Sequence, residues 1–223
     1  MSSATAALET TAIRIPIRGR IWLTADIITP PAATGLVLFA HGSGSSRLSP
    51  WNLYVATELN VLGMATILAD LLTEEEERRD ERTRELRFDI AMLTHRLVQL
   101  IDWAESYGRI GTLPLGLFGA STGAAAALDA AAARPLIVDA VVSRGRPDLA
   151  RQLRGVRAPT LLIVGADDPE ALRLNTGAMR QLTCAKQLAA IPGASHVLAE
   201  PGTLEAVASA AGLWFHQYLN AVP

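Results

Sequence analysis

Short apolar runs recur along this chain at intervals that a helix can fill, and this rhythm constrains the fold more than any other feature. The runs are 35-GLVLFA-40, 64-MATILAD-70, 114-PLGLFGA-120, 137-IVDAVVS-143, 159-PTLLIVG-165 and 185-AKQLAAI-191. A run without polar positions, such as 35–40, is the pattern of a strand covered on both faces. Helix-patterned stretches separate the runs, at about 50–62, 88–108, 121–133, 148–153 and 169–182, and a last one follows at about 203–219. Strands alternating with helices predict a mostly parallel sheet with helices on both faces. Upstream, 13-IRIPI-17 and 20-RIWLTADII-28 flank Gly19 and read as an antiparallel entry to that sheet. The expected fold class is therefore α/β, with a central sheet of about eight strands.

At 223 residues the chain has the size of one such domain, and neither a repeat nor a linker divides it, so residues 1–223 are expected to form a single unit. Half of the residues are hydrophobic and the formal net charge is −2. That balance excludes disorder and gives no basic surface for nucleic acid or an anionic membrane. Cys184 is the only cysteine, so no intrachain disulfide can form. The N-terminal residues lack a signal-peptide pattern and no apolar run reaches membrane-spanning length, which leads to the expectation of a cytoplasmic protein, monomer or homodimer. No paired His/Cys spacing and no H-E-x-x-H is present; neither metal nor cofactor is expected.

Chemistry concentrates where the runs end. In 119-GASTG-123 a serine stands between glycines at a strand-to-helix junction, the G-x-S-x-G pattern. Glycines relieve the crowding of a sharp turn that would raise Ser121 Oγ above the sheet and aim a helix N-terminus at the reacting centre. Five residues with three fixed are a weak signal, and a plain turn serine fits them as well. The loop 39-FAHGSGSSR-47 could expose backbone N–H groups; Ser43 N–H and Thr122 N–H are the candidate oxyanion donors. That loop lacks the G-K-[ST] ending of a P-loop, which ranks nucleotide binding low.

After 160-TLLIVG-165 come Asp167 and Asp168, either of which can be a triad acid or a helix N-cap ahead of Pro169. His196, in 191-IPGASHVLAEPG-202, lies in a loop between the last strand and the last helix. His41, His95 and His216 read as loop, helix-surface and packing residues. Each piece alone has a structural explanation. Together, four pieces each following a strand in the order serine, acid, histidine point to nucleophilic catalysis, with Ser121 attacking a carbonyl and His196 moving the proton.

The residues 41-HGSGSSR-47, 119-GASTG-123, 143-SRGRPDLA-150, 161-LLIVGADDPE-170 and 192-PGASHVLAEPG-202 resemble the dienelactone hydrolase-like group of α/β-hydrolases over nearly the whole chain. The resemblance implies the α/β-hydrolase fold and favours Asp168, because in that group the acid comes a few residues past the strand-ending glycine. It also implies a cysteine nucleophile in true dienelactone hydrolases, where this chain has Ser121. A serine suits a general carboxylesterase or thioesterase equally well. The expected substrate is thus a small ester, lactone or thioester.

Arg47, Arg144 and Arg146 sit at strand ends, where they could orient an anionic group of the substrate; ion pairing within the fold, for instance with Asp148, is the competing role. The run 74-EEEERRDERTREL-86, extending to about residue 90, is read as a short lid or as a solvated charged helix. Trp51 and Leu72 are candidates for an acyl pocket. Two other functions keep the same fold: a binding protein without turnover, and a peracid-forming side activity of the same triad.

Overall fold

The computed structural model describes residues 10–42 and 45–220. Among them eight strands form one sheet: β1 (Thr10–Ile17), β2 (Ile21–Ile28), β3 (Gly35–Ala40), β4 (Met64–Ala69), β5 (Leu115–Ser121), β6 (Val138–Gly145), β7 (Thr160–Gly165) and β8 (Lys186–Ile191). Their order across the sheet is β1-β2-β4-β3-β5-β6-β7-β8. Strand β2 pairs antiparallel with β1 and with β4, and every pair from β4 through β8 is parallel. The antiparallel entry and the parallel remainder are as the sequence pattern predicts.

Among the described residues six α-helices cover the sheet: α1 (Pro50–Val61), α2 (Glu74–Thr83), α3 (Ile90–Glu105), α4 (Thr122–Ala133), α5 (Pro169–Gln181) and α6 (Thr203–Leu219). Alternation along β3 explains why one strand serves two cores. Leu36, Leu38 and Ala40 pack with Leu97 and Ile101 of α3 and Ala126 of α4, whereas Val37 and Phe39 pack with Leu59 of α1 and Phe215 of α6. The alanine-rich face of α4 is buried throughout, so small side chains let this helix lie close to β5 and β6.

Two expected helices change form. The charged segment does not run on into α3: Arg84 adopts a left-handed conformation (φ 57°), Asp80 takes the backbone N–H groups of Leu86 and Arg87, and the Asp89 side chain starts α3 by accepting from Met92 N–H. The expected short helix at 148–153 is two 3-10 turns, 147–149 and 153–155. There the Asp129 carboxylate accepts the N–H groups of Arg151 and Gln152, which replaces helical bonding.

Candidate active site

Ser121 ends β5 and precedes the first residue of α4 with φ 52° and ψ −122°. A side chain other than glycine is rarely found there, at a cost of about 1–3 kcal/mol. Two close approaches hold it. A Cβ on Gly42 would collide with the Ser121 side chain, and Gly145, itself at φ 132°, lies so near that a Cβ would stand 2.8 Å from Ser121 Cα. Arg146 N–H also donates to Ser121 O at 3.3 Å. The support from Gly145 was not anticipated; its only sequence signal is a glycine between two arginines at a strand end.

Asp168 and His196 meet. His196 Nδ1 lies 2.6 Å from Asp168 Oδ2, while Asp168 Oδ1 accepts the Ala171 N–H at 2.9 Å and caps α5. The Ala171 N–H, and after it His196, hold the Asp168 carboxyl below the usual range. Asp167 is exposed, and its N–H is given to Ala194 O. Ser121, Asp168 and His196 line one cavity of about 50 Å³ together with Arg144 and Arg146.

The three arginines separate. Arg47 is committed to two carboxylates, with Nε 3.0 Å from Asp26 Oδ2 and Nη1 2.6 Å from Asp70 Oδ2. It does not line the Ser121 cavity. Arg146 lines it but forms a two-point pair with Asp148, both contacts at 2.8 Å. Arg144 lines it with no carboxylate partner among the described residues; its Nη2 donates to Val197 O at 2.9 Å, and burial lowers its pKa.

His41 is buried and structural in its contacts. Its Nε2 accepts the Leu71 N–H at 2.9 Å, which places the ring proton on Nδ1, 3.3 Å from Gly42 O. Burial lowers its pKa, so the ring is neutral. Ser43 lies outside the described residues. Thr122 opens α4, so its N–H is among the helix's unpaired first-turn donors.

A second cavity, of about 200 Å³, lies across the elbow and is lined by Gly42, Thr122, Leu72 and the inner face of α2. Leu72 therefore borders the site, whereas Trp51 lies in a separate apolar crevice with Phe118 and Val207. Helix α2 is pinned down. Thr73 and Glu76 form a capping box, Arg96 Nη1 donates to Leu71 O and Glu76 Oε2 at 2.7 Å each, and Arg87 pairs with the buried Asp80. No group of side chains among the described residues could hold a metal ion.

A dienelactone hydrolase of Anabaena variabilis is 53% identical to this chain and superposes with a TM-score of 0.92, covering 95% of this chain and 99% of that one. The chain belongs to the dienelactone hydrolase family. The fold is shared with distant sequences: Est1E of Butyrivibrio proteoclasticus is 18% identical with a TM-score of 0.76, over 92% of this chain and 98% of that one. A lidless α/β serine hydrolase of Xanthomonas campestris is 21% identical with the same TM-score, over 96% and 97%. No family model matches the chain. Two Mycobacterium tuberculosis proteins with provisional phosphoribosyl transferase names are 49% identical over 205 residues. The match takes in 91% of this chain and 45% of theirs, so the chain spans less than half the length of these curated relatives. No helix among the described residues is long and apolar enough to cross a membrane.

Proposed function

We propose that this family member is a serine hydrolase of small carboxylic esters, lactones or thioesters. The observation that carries the reading is the strained Ser121 at the strand-to-helix corner, facing the same cavity as the His196–Asp168 pair. An ionised Asp168 can only accept, so it holds the proton on His196 Nδ1 and leaves the Nε2 lone pair available. His196 then takes the Ser121 proton as Oγ attacks the carbonyl, and returns it to the leaving group. Asp168 stabilises the imidazolium formed in between. The oxyanion is assigned to the Thr122 N–H at the start of α4. Deacylation by water repeats the same proton path.

Arg144 is assigned to an anionic group on the substrate, since its charge is not matched by a carboxylate among the described residues. Arg146 supports the turn through Asp148, and Arg47 ties β2 and β4 to the loop after β3. The transferase name of the M. tuberculosis proteins belongs to chains of which more than half lies outside the match, and we assign the hydrolase step to the shared part.

The test is intact mass after incubation with a fluorophosphonate. A single adduct on the wild type that is absent from Ser121→Ala is expected, together with a loss of ester turnover of about a thousandfold or more. A folded wild type that neither reacts nor turns over any ester in a panel would overturn the reading and favour ligand binding without catalysis.

A further inference from the structure

The cavity on the α2 side of the elbow holds polar groups that the hydrolytic reading leaves unused. Thr122 is 1% exposed, its Oγ1 has no hydrogen-bond partner among the described residues, and it lines this cavity one residue beyond the proposed nucleophile. Facing it are Glu77 and Glu81, one turn apart on α2. Glu77 is partly buried, and although its N–H donates to Thr73 O, its carboxylate makes no hydrogen bond or ion pair among the described residues. Burial, and then Asp70, raise the pKa of its carboxyl, which marks an acceptor deprived of water. The other charges on the wall cancel, because Asp80 and Arg87 pair with each other and His41 is neutral.

We propose that this cavity is a substrate subsite for a protonated amine, the ammonium resting between Glu77 and Glu81 with Thr122 Oγ1 accepting a further hydrogen bond. The proposal rests on the hydrolase reading for the position of the ester but not for its own chemistry. Two carboxylates without an ion-pair partner among the described residues, the partly buried Glu77 and the exposed Glu81, repel an anion and favour a compact cation with several donors. A buried hydroxyl without a partner is costly until a ligand supplies one.

The test separates binding from turnover. Ser121→Ala protein is titrated calorimetrically with methyl ε-aminocaproate, methyl heptanoate and monomethyl adipate, which differ mainly in terminal charge. The amine ester is expected to bind about tenfold more tightly than the neutral one, and the anion most weakly. The Glu77→Gln, Glu81→Gln double variant on that background is expected to bring the first two to parity, while Glu75→Gln leaves the ratio unchanged. Equal binding of amine and neutral ester, no binding of the amine ester, or a ratio indifferent to the double variant each overturns the subsite. Failure of the hydrolase reading shows separately, as absence of turnover by wild-type protein with the binding ratio intact.

Discussion

Two cavities flank the strand-to-helix corner, one lined by Ser121 and the other by the adjoining Thr122, and they are built by opposite means. On one side the cavity is small and basic, formed by the carboxyl ends of β5 to β7, with Arg144, Arg146 and His196 around it. On the other it is larger and acidic, walled by α2, a helix outside the sheet. The first is positioned by strand register: Ser121 pairs with Gly145 and Ala120 with Arg144 on the neighbouring strand. The second is positioned by side-chain anchors, chiefly Arg96 and the capping box. Rigid strand ends suit groups that move protons and stabilise charge. An anchored accessory helix suits selection, because its exposed face can change without disturbing the elbow.

The difference can be broken first on the basic side. Asp168→Asn keeps a side-chain acceptor for the Ala171 N–H, so α5 stays capped, but it no longer fixes the proton on His196 Nδ1. A fall in kcat of about a hundredfold to ten-thousandfold with little change in Tm is the expected result. Equal losses of stability and activity would instead assign Asp168 to the cap alone.

On the acidic side the expected damage falls on stability. Arg96→Met removes a buried cation that bridges Leu71 O and Glu76, and chemical denaturation is expected to show a loss of about 3 kcal/mol. Burial alone would push Glu76 up, but its hydrogen bonds to Arg96 and Thr73 bring the carboxyl below its ordinary value. A lowered folded-state value means this stabilisation is complete above the unfolded value of about 4.3 and disappears as pH falls through the folded one. Thermal melts of the wild type across acid pH should therefore lose more stability than those of Glu76→Gln.

The smallest effect sharpens the contrast between neighbouring arginines. Arg144→Gln is expected to lower kcat/KM for anionic esters about tenfold relative to neutral ones, because no carboxylate among the described residues pairs with it. Arg146→Gln should change that ratio less, since Asp148 already holds the guanidinium. An unchanged ratio in Arg144→Gln would take this residue out of substrate recognition.

Much of this was legible in the linear chain because it depends on local periodicity. Fully apolar runs separated by helical lengths define the sheet and its two covered faces, and Gly119, Ser121 and Gly123 at one such junction mark the corner where a hydroxyl can be raised. The turn at Arg84 was less legible, because the charge run before it is mostly strong helix formers, and Asp80 and Thr83 within it do not by themselves mark an end. Asp80, reaching forward to Leu86 and Arg87, ends the helix through bonds that composition does not reveal.

What the sequence determined by itself is the architecture and the order of the chemical groups along it, both consequences of short-range pattern. Tertiary structure decided which of those groups meet. It turned Asp168 toward His196 and left Asp167 in solvent, a one-residue choice set by the start of α5. It brought Asp26 of β2 and Asp70, just past the end of the adjacent β4, onto Arg47, although the residues are far apart in the chain. Charge pairing acts over a few ångströms in space and is indifferent to separation in sequence, so only the folded order of strands could settle it.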